Sequence, residues 1–285
     1  CIIDPNRRDL KGCNPFIRSP NGGINGARAR LAQRGRAYNK EVLILTYDFC
    51  KFKNGTDGSN SELFFYGDIV SDSWSAWSDE DQYPMNVSQL LKEIGNDDID
   101  IHINSGGGDV FAGVAICNML RSASGKKTVY IDGLAASIAS VIAMAGDEII
   151  IPSNAFMMIH KAWTFAMGNA NDMRSLADTL DKLDSGIIAT YMSRAADGVT
   201  EDKISELMAA ETWLTGAEAA ELFSNIKVTE AVTAAASCNS KFMDRYNVPQ
   251  GYTNMLSQRK PDSANVPPEL AKYAAFSAAA RKIIE

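Results

Sequence analysis

Three short stretches hold the side chains whose types and spacing could do chemistry. "NSGGGD" (104–109) sets three glycines between an apolar run and a helical pattern. Backbone N–H groups can approach a ligand closely at such a turn, and the following helix N-terminus adds positive potential. "GLAASIAS" (133–140) repeats the arrangement one unit later and places Ser137 where a strand gives way to an apolar helix. "FMMIHKAW" (156–163) ends a strand-like run in His160. A serine, a histidine and a glycine-rich turn are the nucleophile, general base and oxyanion site of acyl transfer. Each also has a plainer reading. Three glycines in a turn are often structural, Ser137 could be a helix N-cap, and a lone histidine at a strand end is often structural. Ser140, one turn on, reads as a small packing residue, and His102 within "DIDIHI" reads as a sheet residue. The glycine turn is not a dinucleotide fingerprint, because Phe111 stands where the third glycine would fall. Nor is it a P-loop, since no Gly-Lys-Ser/Thr follows.

The elements that must carry these residues alternate. Strands are predicted at 41–47, 62–70, 98–103, 127–133, 147–152 and 155–160, with the turn-rich "KNGTDGSN" between the first two as a hairpin loop. Helices are predicted at 86–94 behind an Asn86 cap, 109–123, 137–146 closed by Gly146, 171–195, 200–210 and 215–222. The segment 71–85 is polar and irregular. Repeated strand–turn–helix units indicate an α/β domain over 41–235. Residues 1–40 carry nine Lys/Arg against two Asp, a local net of +7 in a chain of net −7, and read as a basic, weakly ordered arm. Residues 236–285 read as a linker, "KPDSANVPP", and a last helix at 269–284.

The three motifs, in this order and with these gaps, resemble the proteolytic subunit of the Clp protease, a serine peptidase family of the crotonase-like superfamily. The resemblance runs from Phe64 to Val228. It implies a spiral of β-β-α units with a protruding long helix. It also implies Ser137 as nucleophile, His160 as base, and the Gly107 and Ile138 N–H groups as oxyanion donors. The family's aspartate before a "FLSA"-like segment falls on Glu211 in "AETWLT", so the resemblance implies Glu211 as the acid, with Asp178 and Asp181 as weaker alternatives. The family's INSPGG proline is Gly106 here, which loosens that turn. The long helix 171–195 matches the region that pairs subunits between stacked rings, so a homo-oligomeric ring is implied. The basic head and long tail are similar to the peptidases of tailed phages that process scaffold or capsid proteins; an ATP-dependent unfoldase is the alternative partner.

Composition sets limits on these expectations. The 285-residue chain is 46% hydrophobic and 22% charged, as a globular protein is. Its net charge of −7 argues against general nucleic-acid binding. Five cysteines without CxxC spacing and only two histidines offer no metal site, and no cofactor is expected. No apolar run is long enough to span a bilayer, and no signal peptide is read, so a cytoplasmic location is expected. Two competing functions are a catalytically inactive ring-forming assembly module and a crotonase-type acyl-CoA enzyme. The latter would need carboxylates near a thioester and no Ser–His pair.

Overall fold

In the computed structural model, the described residues are 52–53, 60–76, 78, 80–231, 240 and 242–250. The expected arm 1–40, strand 41–47, hairpin loop 54–59, and the linker and helix beyond 250 lie outside them.

One mixed sheet runs in the order β1 (Phe52–Lys53), β2 (Ser61–Phe65), β3 (Ile99–Ser105), β4 (Lys127–Ala136), β5 (Glu148–Pro152), β8 (Ile226–Thr229). β6 (Phe156–Ile159) branches from β4 and carries β7 (Thr212–Thr215) on its other side. All pairs are parallel except β1–β2 and β6–β7. The helices are α1 (Pro84–Ile94), α2 (Val110–Ser122), α3 (Ile138–Ala143), α4 (Ala170–Met192), α5 (Glu201–Ala209) and α6 (Gly216–Leu222). This is the expected α/β class with a parallel sheet.

Alternation along the strands turns Leu63, Phe65, Ile101, Ile103, Val129 and Ile131 into one buried cluster with Leu90, Ile116 and Leu120 of α1 and α2. Each such side chain contributes about 1.5–3 kcal/mol through burial. The opposite face carries a half-exposed row, Phe64, His102 and Tyr130, at one register position of β2, β3 and β4.

Several element boundaries differ from expectation. Helix α1 starts two residues before the expected Asn86 cap. Pro84 at its first turn supplies a helical φ, Tyr83 takes the N-cap position, and Asn86 is buried inside the helix. Helix α3 is shorter than expected and ends before Met144, while β4 runs on to Ala136. Strand β7, "TWLT", adds to the expected elements; Thr215 at its end caps α6 through a reciprocal pair with Glu218. Asn169 and Asp172 form the same kind of box at the start of α4.

Besides pairing with β3, β4 is long enough to serve two further neighbours. Its first half pairs with β5 through Thr128–Tyr130, and its second half pairs with β6 through Leu134–Ala136. That division is what brings the site together.

Candidate active site

Strand register places the four ends that matter side by side. In the parallel β4–β6 pair, Ala136 lies opposite Met158, so both strands finish together. Ser137 follows the first and His160 the second. β3 enters beside them, with Ser105 opposite Ala135 across a register shift, and delivers Gly106 and Gly107. β7 runs antiparallel to β6 with Thr212 opposite Ile159, so Glu211 arrives across from His160.

Ser137 does not behave as a cap. It stands at the N-cap position of α3, but its side chain makes no capping hydrogen bond. Its backbone has φ 54°, a left-handed conformation unusual outside glycine and typical of strained functional turns. The Ser137 N–H donates to the Met158 carbonyl at 2.9 Å, which holds the turn. Its Oγ lies 2.7 Å from His160 Nε2. Ser140 is fully buried; its hydroxyl donates to the Ser137 carbonyl and meets Tyr191 OH at 2.7 Å. It packs, as expected.

His160 is held below its ordinary value of 6.5, first because burial disfavours the imidazolium; the Glu211 and Asp184 carboxylates pull the other way without offsetting it. A neutral imidazole accepting at Nε2 is the form able to take the serine proton.

Gly107 presses against Ser137. A Cβ there would stand 2.7 Å from Ser137 Cβ and 3.2 Å from Ile138 N, and its φ of +97° suits glycine. Its N–H donates to Ser105 Oγ at 3.1 Å. Ile138 is the first residue of α3, where the N–H has no partner within the helix. Both backbone groups therefore flank Ser137.

Glu211 sits in the same cleft wall, with φ 49°. Among the described residues its carboxylate accepts from the Asn247 backbone N–H and, at 3.3 Å, from Asn247 Nδ2. It makes no hydrogen bond to His160 and acts on it through space. Asp178 and Asp181 are exposed on α4. The carboxylate of α4 that does turn inward is Asp184, which accepts the Ala162 N–H at 2.8 Å and braces the segment after His160. Its signal was present in the helical spacing Asp184, Ile187, Tyr191, the buried stripe of α4.

An open cleft of about 1040 Å³ leads to Ser137 and His160, with Trp163, Phe165, Arg245 and Tyr246 among its walls. Phe242, Arg245 and Tyr246, from the segment 236–285 read as linker and tail, form part of it. Among the described residues no group of three or more His, Cys, Asp or Glu side chains is placed to hold a metal, and no helix is long and apolar enough to cross a membrane.

A model of the Clp protease family matches residues 77–223, just over half of the chain. The chain belongs to the Clp protease family. Three relatives are named ATP-dependent Clp protease proteolytic subunit. That of Bacteroides fragilis is 32% identical over 127 residues, 44% of this chain and 60% of the relative. That of Bacteroides thetaiotaomicron is 34% identical over 130 residues, 44% and 56%. That of Deinococcus radiodurans is 32% identical over 111 residues, 37% and 54%. The chain thus spans less than two thirds of these Clp proteins' length. Within the Clp family match lie Ser137, His160, Gly107, Ile138 and Glu211; the cleft residues Phe242, Arg245 and Tyr246 lie beyond it.

Proposed function

We propose that the chain is a serine endopeptidase. The observation that carries this reading is the 2.7 Å contact between Ser137 Oγ and His160 Nε2 at a strained turn where the serine forgoes its capping bond. In this reading His160 takes the Ser137 proton as Oγ attacks the peptide carbonyl. The Gly107 and Ile138 N–H groups receive the developing oxyanion, the Gly107 donor turning from Ser105 Oγ as it does so. His160 then protonates the leaving amine, and water repeats the sequence on the acyl-enzyme. Glu211 takes the acid's place by stabilising the His160 cation from across β6 and β7. The Ser–His pair favours this chemistry over an acyl-CoA enzyme of the crotonase type.

The substrates would be scaffold or capsid polypeptides of a phage, cleaved in the bacterial or infected-cell cytoplasm; long flanks on either side of the family match support that narrowing. A homo-oligomeric ring would pair subunits through α4, whose Leu176, Leu180 and Leu183 stay half-exposed along one side. An inactive assembly module is the second reading, favoured by one observation: Asn247, not His160, holds the Glu211 carboxylate.

The test is cleavage of a mixed peptide library by the full chain and by Ser137→Ala. The peptidase reading expects products from the first and none from the second, with the same mass by light scattering. No cleavage by either favours the assembly module; equal cleavage by both contradicts the role of Ser137.

A further inference from the structure

The segment Phe242–Val248 crosses the site as a strap. Tyr246 is buried in a second small apolar cluster with Leu134, Ala136 and Met158, the ends of the two strands that deliver Ser137 and His160. Phe242, Met243 and Val248 pack against the same cluster. The Arg245 guanidinium lies 4.5 Å over the Trp163 ring, and Asn247 holds the Glu211 carboxylate. The strap is thus fastened to both sides of the cleft, while Ser137 keeps partial exposure.

We propose that Tyr246 is a positioning residue of the active site, its hydroxyl setting the plane of the Gly106–Gly107 peptide and its ring setting the His160 imidazole. The proposal rests on the serine-peptidase reading.

Tyr246 OH donates to the Gly106 carbonyl at 2.8 Å. That carbonyl and the Gly107 N–H belong to one planar trans peptide and point to opposite sides of it. Holding the first therefore aims the second. A peptide between two glycines has the least steric resistance to rotation, so an outside anchor matters more here than elsewhere. A Cβ at Gly106 would run into the Ser240 side chain. The glycine makes room for the strap, and the strap restrains the turn that consecutive glycines leave loose.

The ring does the second task. Tyr246 meets His160 edge-on, centroids 5.3 Å apart at 76°, and Trp213 backs it at 6.5 Å. The charged and titratable groups around the imidazole are Glu211 ahead of β7, Asp184 on α4, and Tyr246 and Arg245 on the strap.

The experiment is labelling of the full chain with a fluorophosphonate across pH. Ser137 Oγ bonds to phosphorus, the P–F bond breaks, fluoride leaves and His160 takes the proton. Rates are read at a temperature where circular dichroism shows each variant folded. Tyr246→Phe should lower the maximal labelling rate about tenfold, well short of the loss of a whole oxyanion donor, with probe affinity unchanged within about twofold. Its rate-controlling pKa should stay at the wild-type value, because the ring remains. Tyr246→Ala should label more slowly still, with that pKa raised as water reaches His160. A merely structural role would leave rate and pKa unmoved in folded protein. Wild-type rates in both folded variants, or faster labelling, overturn the proposal and leave the peptidase reading intact. A wild-type chain that does not label at all contradicts the peptidase reading itself.

Discussion

The half-exposed face of the sheet and its C-terminal end each hold one histidine, and the better-paired one is in the wrong place for chemistry. His102 stacks between Phe64 and Tyr130, 4.9 Å from each ring, and its Nδ1 donates to Asp132 at 2.9 Å. Tyr66 OH donates to the same carboxylate. This is the histidine–aspartate pair expected of a catalytic base, yet it lies mid-strand in a ladder of rings. His160 has no hydrogen-bonded carboxylate among the described residues, but it has Ser137 at Nε2. In the proposed mechanism, then, a carboxylate partner does not mark the base; position after a strand end, beside another strand end in parallel register, does.

Substitution of each histidine should break the comparison most sharply. His160→Ala should lower peptide turnover by about 10²–10⁴-fold, the usual worth of general base catalysis, whereas His102→Ala should change it less than about twofold in folded protein. Equal losses in steady-state assays of the two would erase the distinction.

Gly107→Ala should come next. The added Cβ would stand 2.7 Å from Ser137 Cβ and 2.8 Å from the Ala136 carbonyl, at a φ of +97°. We expect labelling to fall about 10²-fold, the scale of one lost oxyanion donor, with a lower melting temperature.

The proton linkage of His160 should be smaller and visible in stability. Its folded value lies below the ordinary 6.5, so the unfolded chain binds the proton more readily. The associated stability is fully present above 6.5 and is lost as pH falls through the depressed folded value. Urea denaturation should show this slope in the wild type and a flatter one in His160→Gln. A slope of opposite sign would contradict the assigned environment.

The smallest effect should fall on the other histidine. His102→Gln removes two ring contacts and should cost about 1 kcal/mol by urea denaturation, with the pH profile of turnover unchanged.

These contrasts also show what could be read from the chain beforehand. The placement of Ser137, His160 and the Gly107 turn at strand–turn junctions is legible in the sequence, because residue type and local pattern coincide there. The α/β class was legible for the same reason: parallel strands buried on a helical layer read as apolar runs with glycine punctuation. Helix α1 starts two residues before its Asn-cap signal because Pro84 at the first turn competes with that signal and prevails. Strand β7 is only four residues, too short for a period to register beside the helix signal that follows it. Tyr246 was not legible at all. "FMDRYNVP" has no periodicity, and its value depends on a carbonyl 140 residues earlier, a tertiary pairing that local pattern does not encode. Asn247 on Glu211 was hidden in the same way.

In the proposed mechanism His160 activates Ser137 and no other serine. The most direct measurement is mass-spectrometric mapping of the fluorophosphonate adduct, with its rate followed against pH in the wild type and in His160→Ala. The adduct should sit on Ser137 alone, its rate should reach half-maximum below 6.5, and His160→Ala should abolish it. An adduct on Ser140, or one formed at the same rate without His160, would contradict the account.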